Sequence, residues 1–362
     1  MTRSSKLCSM ALFGIGFALS ITSPASAQTR QFRSWVAGCD NTRVCTAIAF
    51  AEPSKAVAQP GIPFVRIRHH PLRDATPEIW IVDPGPAAAG ARAGVRARLV
   101  VQPERSEVAK GSDVLTAEID GDSALRFRIK DARRALHALR SGAAITLDIG
   151  EKRNLRLVTQ GLDAALRYFD DRQELSDTPG ALVKKPDSVL ADYWHPQPPD
   201  ADAVEATAFG EPVHADFTQR SLPATPRCRL PQPEAPVQAF PLRGSAMLLR
   251  SPCVADGVNE MSAWYLVPRT GARPSLHRWH NGGDDNRPDG AILLNAEALP
   301  NGGLIRAMRF LAATRDCGVS ESWGWTREGK FALVERSEMP LCRTAGPAHW
   351  IVTYRADLIS LN

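Results

Sequence analysis

The stretch Ala124-Leu125-Arg126-Phe127-Arg128-Ile129-Lys130 runs directly into Asp131-Ala132-Arg133-Arg134-Ala135-Leu136-His137-Ala138-Leu139-Arg140. Its first seven residues alternate apolar with basic side chains, the period of two expected of a strand with one packed and one wet face. At Asp131 the period changes. Asp131 stands where a helix cap belongs, Ala132, Ala135, Leu136 and Leu139 fall on one stripe, and Gly142 provides the stop. A strand that gives way to a short amphipathic helix points to an α+β or sandwich-like unit with helices at its edge.

The same texture extends on both sides. Phe64-Val65-Arg66-Ile67-Arg68 repeats the apolar and basic alternation, and Ala143 to Ile149 returns as a strand. Glu151-Lys152-Arg153-Asn154 reads as a polar turn into the strand Leu155 to Val158, after which Leu162, Ala165, Leu166 and Phe169 fall at helical spacing. From Glu174 to Pro241 twelve of the 28 prolines crowd together with acidic and small residues, a composition that favours an extended connection, with a short helix expected over Asp187 to Trp194. Strand signals resume at Ala246–Leu249, Ala263–Val267, Ala291–Leu294, Trp323–Thr326, Phe331–Glu335 and His349–Arg355, with Arg327-Glu328-Gly329-Lys330 as a hairpin turn.

The expectation is a mainly β, α+β chain: residues 28–175 form a β-rich domain with a few edge helices, 176–240 a proline-rich linker, and 241–362 a second β-rich domain stabilised by disulfides. Residues 1–27 read as a signal peptide, with Arg3 and Lys6 ahead of the apolar run Met10 to Ile21 and Ala25-Ser26-Ala27 as the cleavage site. The run is too short for a membrane span of about 20 residues. Cys8 leaves with it. The 335 residues after Ala27 suit two domains and carry 42 basic against 39 acidic side chains, too weak an excess for a dedicated nucleic-acid binder.

Six cysteines remain, spaced as sequence-close pairs: Cys39 with Cys45, Cys228 with Cys253, and Cys317 with Cys342. After an export signal an even count reads as a disulfide framework, although six cysteines allow fifteen connectivities.

Trp35 with Cys39-Asp40-Asn41-Thr42-Arg43-Val44-Cys45, then Asp316-Cys317-Gly318, Trp325-Thr326-Arg327-Glu328-Gly329-Lys330-Phe331-Ala332-Leu333 and Cys342-Arg343, resemble the bacterial envelope family called domain of unknown function 1176. The first half also resembles the invasion-associated locus B family through its early tryptophan and cysteine and its Gly-Leu-Asp-Ala-Ala-Leu helix. The resemblance implies a periplasmic protein of Gram-negative bacteria with no established activity. It departs at Ala313-Thr314-Arg315, where a glycine-rich approach to Asp316 is expected.

Four residues stand out as candidate contacts: Arg43, presented on the Cys39–Cys45 turn, and His277, Trp279 and His280 in a segment followed by Asp284 and Asp285. Imidazoles and carboxylates are zinc ligands. If Leu276 to His280 is a strand, however, His277 and His280 face opposite ways, so no metal site is expected. Arg66, Arg68 and His70 on one strand and Arg126, Arg128 and Lys130 on another would make a basic patch if those strands were neighbours. Trp264, Trp279, Trp323, Trp325 and Trp350 are expected mainly in the core. No nucleophile elbow, His-Glu-x-x-His or phosphate-binding glycine loop occurs, and no cofactor is implied. The sequence therefore reads as a non-catalytic periplasmic binder of an envelope or secreted protein, of inhibitor or immunity type. The alternatives are a metal-dependent envelope hydrolase using His277, His280, Asp284 and Asp285, and a structural or assembly factor of the envelope.

Overall fold

A computed structural model describes residues 29–52, 62–72, 75–82, 97–102, 113–120, 124–141, 144–149, 152–183, 199–213, 217–225, 228, 237–244, 246–253, 257–268, 273–280, 290–343 and 345–361. The chain is mainly β. Its first half contributes strands β1 (Arg30–Phe32), β2 (Trp35–Cys39), β3 (Cys45–Phe50), β4 (Phe64–His69), β5 (Glu78–Val82), β6 (Ala97–Gln102), β7 (Asp113–Asp120), β8 (Ala124–Arg126), β9 (Ala144–Ile149) and β10 (Lys152–Leu157). Helix α1 (Ile129–Arg140) lies between β8 and β9, and α2 (Leu162–Arg172) follows β10.

The ten strands form one sheet in the order β1-β2-β3-β4-β5-β8-β7-β6-β9-β10. Just past β3, Ala51 bridges Leu157, and the Glu52 N–H donates to the Arg156 carbonyl at 2.8 Å. The sheet thus curls until β10 meets the end of β3, which leaves fewer open strand edges. One face carries Ala37, Ala47, Ala49, Val65, Ile67, Ile79, Ile81 and Leu147, and these pack in one core with Ala132, Ala135 and Leu139 of α1 and Leu162, Ala165, Leu166 and Phe169 of α2. The run of alanines lets the helices approach closely, while the isoleucines fill the remaining volume.

The strand to helix transition comes earlier than its sequence pattern predicts. β8 ends at Arg126 and α1 begins at Ile129, with Arg128 at the cap position and Asp131 inside the first turn. The alternation of Phe127, Arg128 and Ile129 is equally compatible with the start of a helix, because two or three residues cannot separate the two periods.

The second half is a sandwich. Strands β11 (Asp202–Thr207), β12 (Gln238–Pro241), β13 (Met247–Pro252), β14 (Met261–Val267), β15 (Ser275–Leu276), β16 (Ile292–Leu294), β17 (Glu297–Leu299), β18 (Leu304–Phe310), β19 (Gly318–Trp325), β20 (Phe331–Met339) and β21 (Ile351–Leu361) make two sheets. One has the order β11-β21-β20-β19-β18-β17; the other has the order β12-β13-β14-β15, with β16 also paired to β14. Phe240, Trp264, Trp279 and Leu293 pack between the sheets against Ile305, Trp323, Trp325 and Leu333. The β19–β20 hairpin turns at the expected place, with the Thr326 N–H donating to the Lys330 carbonyl at 2.8 Å and Gly329 at φ 78°.

Within the proline-rich span, Asp202 to Thr207 forms a strand parallel to β21. That six-residue piece contains no proline and alternates Val204 and Ala206 with polar or small neighbours, so it can complete a sheet edge. Asp187 to Trp194 lie outside the described residues. Disulfides join Cys39 to Cys45, Cys228 to Cys253, and Cys317 to Cys342. Among the described residues no helix is long and apolar enough to cross a membrane.

The two halves share a core. Val36, Ile48, Phe50, Phe64, Trp80 and Val82, on the other face of the first sheet, pack with Phe310, Cys317, Met339, Trp350 and Ile351. Gly38 on β2 allows this closeness, since a Cβ there would stand 3.0 Å from the Ile351 Cγ2.

Candidate functional site

A cleft of about 510 Å³ opens where the halves meet, lined by Gln31, Arg33, Ser34, Phe50, Glu52, Val158, Leu341 and Arg343. One wall is the two-residue connection between β1 and β2. Arg33 sits there at φ 54°, a left-handed conformation that costs a residue with a side chain roughly 1–3 kcal/mol. The connection is pinned from behind. The Ser34 N–H donates to the Gln160 carbonyl at 3.3 Å, the Arg33 guanidinium donates to the Gln160 Oε1 at 3.4 Å, and Gly161 passes so near that a Cβ would meet the Phe32 carbonyl at 2.0 Å.

The opposite wall is the segment Leu341 to Arg343 between β20 and β21, tied to the start of β19 through Cys342 and Cys317. Phe50, Val158 and Leu341 supply apolar surface, and Glu52 adds a carboxylate whose Oε2 lies 3.7 Å from the Arg156 Nε. Arg33 and Arg343 are exposed. Two guanidinium groups beside an apolar lining suit a ligand segment that presents a carboxylate next to a hydrophobic group, because the arginine fork pairs with carboxylate oxygens in a bidentate way. Neither histidine nor cysteine lines the cleft among the described residues.

The four contacts expected from sequence lie elsewhere. Arg43 occupies the Cys39–Cys45 turn at φ 63°, and its guanidinium meets the Glu174 carboxylate at 2.7 Å. The turn is held by Asp40, whose Oδ1 accepts from the Thr42 N–H at 3.0 Å, the Thr42 hydroxyl at 2.7 Å and the Val44 N–H at 2.9 Å. The Gln173 amide donates to the Arg43 and His69 carbonyls, both at 2.9 Å, so the turn is also fastened to the end of α2.

Trp279 lies inside the sandwich. Only 5% exposed, it packs against Trp264, Trp323 and Phe331 with centroids 5.9, 5.0 and 4.9 Å away. The backbone N–H of Trp279 donates to the Gly290 carbonyl at 2.6 Å, which ties this segment to the start of β16. His277 sits edge-on to Trp279 at 4.5 Å and against Phe331 at 5.4 Å. Burial, with His280 nearby, pulls its imidazole down to about 4. His280 is exposed and offers its carbonyl to the Trp323 indole N–H at 3.2 Å.

Asp284 and Asp285, the carboxylates of the metal hypothesis, lie outside the described residues. Among the described residues, Asp316, Cys317 and Cys342 bring ligand-type atoms within 4.8 Å of one another, but both sulfurs belong to a disulfide.

β5 separates β4 from β8, so the two basic strands are not neighbours. Arg66, Trp80 and Arg126 stand in register across the three strands, with the guanidinium carbons 5.0 and 5.4 Å from the Trp80 ring. Arg126 and His70 both reach Glu78. These basic side chains cover an aromatic ring and pair internally. Arg128 and Lys130 belong to the start of α1.

Two polar clusters have no obvious signature in the sequence. Asp40, 1% exposed, receives Arg355 of β21 at 2.6 Å. Arg336 contacts Glu338 at 2.8 Å and Glu321 at 3.8 Å, while the Thr29 hydroxyl donates to Glu338 at 3.1 Å. Arg355 with Asp40 and Thr29 with Glu338 join residues far apart in the chain, whereas Glu321 and Arg336 face each other across the β19–β20 hairpin. Nothing along the chain marks Arg33 as a cleft residue either, but Arg343 directly follows a bridged cysteine, which marks it as held in place.

The family described as "Protein of unknown function (DUF1176)" matches this chain over residues 29–357. That match does not extend to the resemblance between the first half and the invasion-associated locus B family. No curated protein and no solved structure matches.

Proposed function

The chain belongs to the DUF1176 family, to which no function is assigned, and from that premise we propose that it is an exported, non-catalytic protein of the periplasm that binds another envelope or secreted protein, in the manner of an inhibitor or immunity protein. The observation that carries the reading is the cleft at the junction of the halves. Its walls are braced before any ligand arrives, by Cys317–Cys342 on one side and by the Gln160–Gly161 contacts on the other. Preorganised walls lower the ordering cost of association, and exposed arginines beside apolar surface are the side chains that anchor protein interfaces. The expected partner inserts a loop or terminus with an acidic and an apolar side chain between Arg33 and Arg343. Residence in the periplasm rests on residues 1–27 and on the envelope character that the family resemblance implies.

The test is affinity capture from periplasmic extract with oxidised residues 28–362, comparing wild type with Arg33→Ala/Arg343→Ala. Recovery of one stoichiometric protein by the wild type and its loss by the variant supports the reading. Retention of nothing by the wild type, or of the same protein by both, removes it.

A further inference from the structure

We propose that the outer face of α1 is a docking surface for an anionic phospholipid leaflet. The residues of α1 divide cleanly. Ala132, Ala135, Leu136 and Leu139 enter the core, whereas Lys130, Arg133, Arg134 and His137 are exposed and recur at helical spacing on the opposite side. Arg128 is exposed just ahead of them. From Arg128 to Arg134 the sequence carries four Lys and Arg side chains against one carboxylate, Asp131, which lies 3.8 Å from Arg134.

Three features set this face apart from an ordinary solvated one. Basic side chains crowd the helix N-terminus, where the backbone dipole disfavours positive charge, and the cap position holds Arg128, which makes no side-chain cap hydrogen bond. Ile129, the first helical residue, is 70% exposed. Leu72 is 55% exposed, and close by in sequence the Thr76 hydroxyl accepts from the Arg133 guanidinium of α1 at 3.5 Å. A single exposed aliphatic residue is unremarkable. An exposed Ile129 within a basic stripe, at a terminus whose local chemistry opposes that charge, with exposed Leu72 four residues before the Thr76 that Arg133 reaches, forms a pattern that helix stability does not explain.

The shape selects the partner. The stripe runs along the outside of a helix for about 10 Å, a convex surface that cannot enclose a small ligand but can lie against a plane. Cations then rest on lipid phosphates while Ile129 and Leu72 enter the headgroup region, as in interfacial helices. The surface is separate from the cleft and does not depend on it.

Oxidised residues 28–362 would be sedimented with vesicles of phosphatidylglycerol mixed with phosphatidylethanolamine, and with vesicles of phosphatidylcholine alone. Binding to the first and not the second is expected, with release as salt rises. Lys130→Gln/Arg133→Gln/Arg134→Gln is expected to weaken binding about tenfold or more, and the uncharged Ile129→Ser to weaken it without changing its salt dependence. Lys130→Arg/Arg133→Lys/Arg134→Lys, which retains the charge, is expected to bind like wild type and so separates charge loss from misfolding. Equal binding to both vesicle types, no binding at low salt, or indifference to the charge-removing substitutions overturns the proposal. So does selective binding of an anionic polysaccharide in place of vesicles.

Discussion

Arg355, on the last strand of the chain, places its guanidinium Nε 2.6 Å from the carboxylate Oδ2 of Asp40, which is 1% exposed on the small disulfide-closed turn near the start. The backbone reinforces the contact, since the Arg355 N–H donates to the Asn41 Oδ1 at 2.8 Å. The pair joins the halves beside the apolar junction of Val36, Ile48 and Phe64 with Trp350 and Ile351. The turn itself satisfies Oδ1 of this buried carboxylate, and Arg355 is the charged partner of Oδ2.

Arg355→Ala is therefore expected to destabilise the protein by about 1–3 kcal/mol, the cost of leaving a buried acceptor without its partner, because Asp40 is buried while the Arg355 side chain is 35% exposed. The pair lies at a junction, so the loss is expected to appear as easier separation of the halves. Urea unfolding followed by tryptophan fluorescence, with limited proteolysis, checks both; a midpoint equal to that of wild type contradicts the role assigned to the pair.

Trp279 and His280 are adjacent in sequence and opposite in consequence. Trp279→Ala empties the centre of the aromatic core and is expected to cost about 3–5 kcal/mol. His280→Ala removes an exposed side chain while keeping the carbonyl that the Trp323 indole uses, and is expected to change stability by less than about 0.5 kcal/mol. Thermal unfolding of the two variants side by side is the measurement.

The His277 imidazole, pulled down to about 4 from an ordinary 6.5 by burial and then by His280, imposes a pH dependence. Between those values the unfolded chain takes up a proton that the folded chain refuses, so the contribution is complete above about 6.5 and declines as pH falls towards 4. The loss is of order 2–3 kcal/mol. Burial lowers His69 and His349 in the same direction. His277→Phe is expected to flatten part of this decline in urea titrations at pH 7 and pH 4.5; an unchanged difference between the two pH values contradicts it.

Gly161→Ala is expected to disturb the cleft from behind. Its φ of 98°, and the Phe32 carbonyl that would stand 2.0 Å from an added Cβ, leave neither conformational nor steric room for a side chain. Destabilisation well above the ordinary strain of about 1 kcal/mol is expected, together with displacement of the Arg33 turn and weaker partner capture. Full capture by this variant would detach the turn from the binding site.

Local patterns are legible where a side chain's position follows from its neighbours along the chain. The mainly β character, the inward stripes of α1 and α2, the Arg327–Lys330 turn and the even set of cysteines belong to this class, since periodicity and turn chemistry act over a few residues. The start of α1 comes earlier than its pattern implies because Phe127 to Ile129 satisfy both periods. Trp279 can be read as either core or contact, since a tryptophan suits both and its ring partners Trp264, Trp323 and Phe331 come from other strands. The separation of β4 from β8 by β5, the closure of Ala51 on Leu157, the meeting of Arg355 with Asp40 and the cleft between Arg33 and Arg343 were decided by the tertiary structure alone. Each joins residues far apart in the chain, and sequence spacing carries no information about which strands become neighbours once loops of different lengths have closed.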